Sequence, residues 1–252
     1  MFRHQGKSRT LKQNLQIATI LSFVAGLVNV TGFLAIQQLT TNVTGHFAQF
    51  MYDVEKFEFW KGTVYLLYII AFLFGSFTSS FVIEKFRENK KLNVFALPTI
   101  AEAIILILAA VLAQATDMNY PNTVACLLLF AMGIQNSLVT KISNEIVRTT
   151  HLTGLFTDLG IELSHLFFPN TYPQRKKNKA HIKLRVFIIS FFFLGGIVGG
   201  FFYSSLGLKT NTLILGSFIL IISLLYDDFR FGLIKSKRKR NQKRRKKLKN
   251  SL

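Results

Sequence analysis

Six long apolar segments divide this chain of 252 residues. A helix needs about 20 apolar residues to cross ~30 Å of hydrocarbon at ~1.5 Å per residue, and each segment is close to that length. Glu102 is the only charged residue well inside any of them. The segments run approximately over 15–37, 62–83, 94–115, 122–142, 184–206 and 211–226. The pattern predicts an all-α polytopic membrane protein with six transmembrane helices.

The charges predict how these helices are oriented. Half of the residues (50%) are hydrophobic, yet the formal net charge is +19, a combination that fits basic residues placed at the edges of a bilayer. Lys and Arg cluster before the first segment, after the second, and between the fourth and fifth, whereas loop 116–121 has none and loop 207–210 has one. The positive-inside rule therefore predicts that both termini lie in the cytoplasm.

The C-terminal tail carries much of the positive charge, since eleven of the fifteen residues from Lys235 to Lys249 are Lys or Arg. A charge run without apolar periodicity is typical of a disordered segment. We expect it to fix topology and to bind anionic lipid. Nucleic acid is the weaker alternative, because no aromatic residue interrupts the run to stack on bases.

A short phrase occurs twice, as TTNVTGHF at 40–47 and TTHLTGLF at 149–156, with five of eight positions identical. Each copy follows an apolar segment that contains Gly and Asn, namely Gly26 and Asn29 in one and Gly133 and Asn136 in the other. A unit of three crossings reverses direction when it is repeated, so the chain is predicted to be an inverted repeat. The predicted divisions are a basic cytoplasmic N-terminus (1–14), repeat unit 1 (15–115), an external loop (116–121), repeat unit 2 (122–228, with a cytoplasmic basic loop at about 169–183) and a polybasic tail (229–252).

The repeated phrases are expected to form broken or re-entrant segments. Gly loosens the backbone, and Thr hydroxyls can replace the hydrogen bonds that unwinding frees. Half-helix ends of this kind can bind a polar solute or an anion, so we expect the two phrases to meet near the membrane midplane and bind a small solute. Thr-capped loops that serve only packing are the alternative. The candidate substrate-binding residues are Asn29, Thr44, Gly45, His46, Gln135, Asn136, Thr153, Gly154 and Asp158.

Further polar and small residues inside the segments have predicted roles. Glu102 is a candidate for proton coupling, because an ionisable residue in a membrane helix is costly; snorkelling to the interface is the alternative. Asp158, Glu162 and His165 form one stripe of a helix, which fits the wet face of an interfacial helix better than a metal site. Small residues allow close helix contact. The candidates for helix packing are Gly26, Gly133, Gly75, Gly195 and Gly199.

No signature of an enzyme is present in the sequence, which lacks HExxH, GxSxG, a Walker loop and a Cys/His cluster. We therefore expect no catalytic residue, no cofactor and no metal. The leading hypothesis is a small-solute or ion transporter or channel, with the lipid bilayer and an unknown solute as partners. A non-transporting scaffold or lipid-binding protein, a membrane-embedded enzyme, and a homo-oligomer stay open.

The motifs AGLVNVTGF, NVTGHF, MGIQNSLV and TTHLTGLFTDLG resemble those of the YoaK family, bacterial six-span membrane proteins of unknown function. The resemblance covers Leu15 to Asp228 and implies the six-span fold and a location in the bacterial inner membrane, without implying an activity. Two residues depart from the family pattern: Asn29 stands where the family often has Asp, and His46 where it often has Asn. The positions that match the motifs are Gly26, Asn29, Thr44, Gly45, Glu102, Gly133, Gln135, Asn136, Thr153, Gly154 and Asp158.

Overall fold

The computed structural model describes residues 9–88, 93–169, 171–227 and 229, and these residues form helices and loops without a strand. The predicted polybasic segment 235–249 lies outside the described residues, as does the start of the N-terminal segment. The helices are α1 (Leu11–Ile36), α2 (Val43–Glu55), α3 (Phe59–Lys85), α4 (Ala96–Ala115), α5 (Pro121–Ser143), α6 (Leu152–Ser164), α7 (Tyr172–Gly200, continued by a π turn, Phe201–Ser205) and α8 (Lys209–Asp227, opening with a 3-10 turn).

Six of these helices are long and apolar enough to cross a membrane, namely α1, α3, α4, α5, α7 and α8. They correspond one to one to the six apolar segments, so the predicted all-α membrane fold is confirmed. The chain is accordingly a multi-pass membrane protein. Large apolar side chains on the outer faces of these helices are exposed, as Leu73 and Phe77 are on α3 and Phe193 is on α7, and they contact lipid.

The fifth membrane helix begins earlier than the apolar pattern predicts. Residues 172–183, expected to belong to a basic loop, form the first turns of α7. A helix start signal overrides the hydrophilic composition here: Pro173 lies in the first turn, and the Thr171 N–H donates a hydrogen bond to Gln174 Oε1 at 3.2 Å. The basic residues therefore extend α7 beyond its apolar part.

Two pairs of helices cross at glycines that bring their backbones together. On α1 and α7, a Cβ atom added to Gly26 would lie 1.9 Å from the Phe192 carbonyl oxygen, and one added to Gly195 would lie 1.9 Å from the Phe23 carbonyl oxygen. On α3 and α5 the same distances are 2.1 Å from Gly75 to Phe130 and 2.2 Å from Gly133 to Phe72. Gly199 also packs on α1, since a Cβ atom added to it would lie 3.0 Å from the Leu27 carbonyl oxygen. Any side chain at the four crossing positions would force the helices apart.

Two elbows follow helices α1 and α5, and each leads into a short helix. The first elbow comprises residues 37–42 and precedes α2; the second comprises residues 144–151 and precedes α6. Left-handed residues end both preceding helices: Gln37 with φ 55° ends α1, and Asn144 with φ 55° ends α5. Since α2 and α6 have 13 residues each, neither is long enough to cross a bilayer.

Candidate functional site

The side chain of Asn29 holds the first elbow against α1. Its Oδ1 accepts hydrogen bonds from the backbone N–H of Thr40, at 3.2 Å, and from the hydroxyl of Thr41, at 2.9 Å. Asn42 then caps α2, because its Oδ1 accepts a hydrogen bond from the Gly45 N–H at 3.1 Å. Side-chain amides therefore accept the hydrogen bonds of backbone and hydroxyl groups that have no partner within a helix at this break.

The second elbow is held in the same way by Asn136. The Thr150 hydroxyl donates to Asn136 Oδ1 at 2.6 Å, and Asn136 Nδ2 donates to the Met132 carbonyl oxygen at 2.8 Å. In the aligned phrases, His151 occupies the position of Asn42, but its side chain makes no cap hydrogen bond to α6. Both predicted asparagines are thus elbow anchors.

The two asparagines use their side-chain amides differently. We therefore predict that they tolerate replacement by aspartate to different degrees. Asn29 Oδ1 only accepts, so Asn29→Asp keeps both hydrogen bonds and should change the free energy of unfolding by less than about 1 kcal/mol. Asn136 also donates, so Asn136→Asp places a carboxylate oxygen against the Met132 carbonyl and should cost about 2 kcal/mol. Unfolding of each variant in mixed detergent micelles measures the difference. Equal losses at both positions would contradict this assignment.

The structure does not bring the two elbows together. Gln135 on α5 contacts Leu21 of α1, and Leu128 of α5 lies 3.3 Å from the Cβ position of Gly32 on α1, so residue numbers fall along α5 as they rise along α1. The two helices are antiparallel, and their C-terminal elbows lie at opposite ends of the pair. Leu21 and Gly32 are eleven positions apart, which corresponds to about 16 Å along the axis of α1.

The expectation that the repeated phrases meet near the midplane therefore stays a prediction, and these contacts do not support it. Helices of 26 and 23 residues precede the elbows, and each elbow folds back along its helix, because Thr40 contacts Asn29 and Thr149 contacts Gln135. Thr44 and Thr153 are exposed near the starts of α2 and α6, and Gly45 and Gly154 are only half-buried. These four residues do not line one shared pocket.

Gln135 and Glu102 are the predicted residues that lie deepest in the helix bundle, each with 0% of its surface exposed. Gln135 Nε2 donates to the Leu21 carbonyl oxygen at 2.8 Å and to the Thr149 hydroxyl at 3.3 Å. Among the described residues, Gln135 Oε1 and both carboxylate oxygens of Glu102 are buried without a hydrogen-bond partner. Buried polar atoms of this kind are rare, and each calls for a specific explanation.

Glu102 and Gln135 lie at the same level of two neighbouring antiparallel helices. Phe95, just before α4, lines one pocket together with Thr140, Lys141 and Asn144 at the end of α5. Glu102 of α4 lies seven residues after Phe95. Gln135 lies seven residues before the middle of the stretch 140–144 at the end of α5. Equal rise per residue then places the two side chains level with each other.

A contact on α8 independently places Glu102 and Gln135 at the same depth along the helix axes. The Cβ position of Gly216 lies 3.7 Å from both Leu106 of α4 and Val24 of α1, so these two residues share a level. Glu102 is one turn before Leu106, and Leu21, which accepts the hydrogen bond from Gln135, is about one turn before Val24. α1, α4, α5 and α8 therefore surround Glu102 and Gln135 at one depth in the bundle, which we call the polar level.

An ionic cluster that sequence reasoning did not identify joins α6 to α7; we call it the Arg185 cluster (Arg185, Asp158, Glu162, His181 and Asn178). Arg185 binds Glu162 through two hydrogen bonds of 2.7 and 2.9 Å and lies 2.9 Å from Asp158. His181 Nδ1 lies 3.3 Å from Glu162 Oε1, and Asn178 Nδ2 donates to the Glu162 carbonyl oxygen at 2.8 Å. Bidentate arginine–carboxylate pairs fix geometry as well as charge.

Two adjoining cavities, of about 450 and 440 Å³, flank the Arg185 cluster and share Asp158, His181 and Arg185. The second extends along the second elbow to Arg148 and His151. Asp158, a predicted binding residue, thus faces an open polar groove. Within the described residues, no three His, Cys, Asp or Glu side chains are grouped closely enough to hold a metal ion.

His46, the remaining predicted residue, is buried and packs α2 against α3. Its Nε2 lies 2.8 Å from the Leu39 carbonyl oxygen, and its ring lies 5.1 Å from that of Tyr68 and 6.1 Å from that of Tyr65. Burial lowers the pKa of His46 below its ordinary value of 6.5, although the hydrogen bond with Leu39 opposes the shift. The folded protein accordingly favours neutral imidazole, with Nε2 donating.

This pKa shift predicts that His46 makes stability depend on pH. The unfolded chain binds the proton more readily, so the His46 contribution is fully present above pH 6.5 and is lost as the pH falls toward the lower folded-state pKa. His46→Leu, which introduces the residue found at the aligned position Leu155, should flatten the unfolding free energy between about pH 5 and 7. Parallel pH profiles for the two proteins would contradict the prediction.

A family model described as "Protein of unknown function (DUF1275)" matches residues 17–226 of the chain. The match is consistent with the resemblance to six-span proteins of unknown function, although it does not itself carry the YoaK name. Comparison with curated proteins and with solved structures gives no match.

Proposed function

The chain belongs to the DUF1275 family of proteins of unknown function, and we propose that it is a transporter or channel for a small solute or ion in the bacterial inner membrane, with both termini in the cytoplasm. The observation that carries the proposal is the polar level formed by Glu102 and Gln135 inside the helix bundle, where both side chains are fully buried. An ionisable residue kept unpaired in such a place costs several kcal/mol. A ligand or proton that passes through the bundle would offset this cost.

Two units of opposite orientation support a transport mechanism. The glycine crossings match between the halves: Gly26 and Gly133 are 107 residues apart, as are Phe23 and Phe130, while Gly75 and Gly195 are 120 apart. The short helices match as well, since each buries only two residues and both pairs keep the offset of 109 residues that separates the repeated phrases. The buried pairs are His46 and Asp53 on α2, and Leu155 and Glu162 on α6. Inverted repeats of this kind allow one unit to rock against the other.

The elbows then act as the two mouths of the path, at opposite ends of the bundle. The second elbow connects directly to the polar level, because Thr149 accepts a hydrogen bond from Gln135. α6 covers this elbow and is tied to α7 by the Arg185 cluster. We infer that the cluster is an inner gate, and that Asp158 acts in gating, with solute entering along the groove beside it.

Flux measured in proteoliposomes tests the proposal. Purified protein should exchange a radiolabelled solute or ion across the bilayer, and Glu102→Gln should reduce the initial rate at least about tenfold, which is ~1.4 kcal/mol of barrier or affinity. Glu55→Gln, at an exposed position on α2, is the matched control and should keep the rate. Absence of flux over a broad panel, together with lipid turnover or lipid capture by the protein, would replace the transporter by an enzyme or a scaffold.

A further inference from the structure

We propose that Glu102 and Gln135 form the centre of a binding site for a monovalent alkali-metal cation. The proposal rests on the proposed function, because it names the kind of ion that the polar level accepts. It starts from three of the buried oxygen atoms that have no hydrogen-bond partner among the described residues, namely two on Glu102 and one on Gln135.

All three atoms are acceptors, which bind a hydrogen-bond donor or a cation. A carboxylate oxygen only accepts hydrogen bonds, and Gln135 Oε1 is an acceptor as well. The donor end of Gln135 is already engaged with the Leu21 carbonyl and Thr149, which fixes the amide so that its oxygen is the free end. The level therefore offers acceptors and no charged donor, which excludes an anion and favours a cation.

The charge balance selects a monovalent ion. Glu102 is the only charged residue well inside the apolar segments, so one carboxylate neutralises one positive charge. A divalent ion would leave a net charge in a medium of low polarity, at a cost of several kcal/mol. Divalent sites also draw on several carboxylates, and no such group occurs within the described residues.

Two further buried hydroxyl groups lie on α1 and α8, two of the helices that surround this level, and are the candidates for additional oxygen ligands. Ser22 follows Leu21 on α1, and Ser217 follows Gly216 on α8; each is buried, with a hydroxyl that has no partner among the described residues. Hard cations bind several oxygen atoms at once. A single proton would cover only one oxygen of Glu102, whereas an alkali cation can contact both oxygens together with the amide and the hydroxyls.

Cation-dependent stability of the purified protein tests the site without requiring transport. The melting temperature is measured in detergent while choline chloride is replaced by LiCl, NaCl or KCl at constant ionic strength. A ligand that binds the folded state raises it, so we expect a saturable rise with at least one alkali ion relative to choline. Glu102→Gln should abolish this rise, and Gln135→Leu should weaken the apparent affinity at least about tenfold.

Two further variants keep the test decisive. Glu55→Gln removes an exposed acid and should leave the cation response unchanged. Glu102→Asp keeps the charge on a shorter side chain and should preserve a response while changing the order of preference among Li⁺, Na⁺ and K⁺, so a folding defect in Glu102→Gln cannot be mistaken for loss of the site. Stabilisation by acid pH alone, with no difference among the cations, would overturn the proposal in favour of a protonated Glu102.

The outcome separates this site from the transport hypothesis. Solute flux in proteoliposomes together with a protein that does not respond to alkali ions would overturn the cation site and keep the transporter. A cation response that is lost in Glu102→Gln supports the site, even if no flux is found, and in that case transport is the hypothesis that fails.

Discussion

Valine in place of Gly26 is expected to separate α1 from α7 and to cost about 3 kcal/mol of unfolding free energy or more. The new Cβ atom would fall 1.9 Å from the Phe192 carbonyl oxygen, and a backbone atom cannot rotate away as a side chain can. Overpacking of buried sites typically costs 1–3 kcal/mol even where side chains adjust. The midpoint of unfolding in mixed SDS micelles measures the loss.

Gly133→Val provides a second, independent test at the crossing of α5 and α3. Its Cβ position lies 2.2 Å from the Phe72 carbonyl oxygen, so the loss should be similar to that of Gly26→Val. Gly160→Val is the control, because nothing lies within 4 Å of a Cβ added at this exposed position of α6. We expect it to change stability by less than about 0.5 kcal/mol. A loss at Gly26 no greater than that at Gly160 would contradict the crossing geometry.

The membrane helices could be predicted from sequence because hydropathy over about 20 residues measures the property that a bilayer selects. Hydropathy could not predict where α7 begins. Its first turns at 172–183 are basic, and the signal that begins the helix is the cap at Thr171 rather than hydrophobicity. The glycines at the crossings were recognisable as small residues, whereas their partners Phe192 and Phe72 depend on which helices pack together.

The candidate site was predictable only in part. Asn29, Asn136 and Glu102 were conspicuous as polar residues in apolar segments, and the structure brings Glu102 to the level of Gln135. The repeated phrase indicated two elbows, but where they lie follows from the antiparallel packing of α1 and α5. Arg185 escaped prediction because its partner Glu162 lies 23 residues away on another helix, so no local spacing reveals the pair.

Removal of the Arg185 guanidinium is expected to release α6 from α7. In Arg185→Met, the Glu162 carboxylate, whose side chain is only 11% exposed, loses both hydrogen bonds from the guanidinium. Breaking one side of a buried ion pair costs about 3–5 kcal/mol, and partial solvent access reduces this to roughly 2–3 kcal/mol. Thr149 is a fully buried residue of the second elbow. In a protein whose Cys126 is replaced by serine, a cysteine introduced at Thr149 should then react faster with a water-soluble maleimide.

The double variant Arg185→Met/Glu162→Leu distinguishes a gate from a merely damaged fold. It removes both charges and restores apolar contact, so it should recover most of the lost stability. Asp158, whose side chain is half exposed, keeps its hydration in either variant. If the cysteine at Thr149 stays reactive after stability returns, the charge pair itself closes the groove. If reactivity is unchanged in Arg185→Met, the Arg185 cluster does not gate the second elbow.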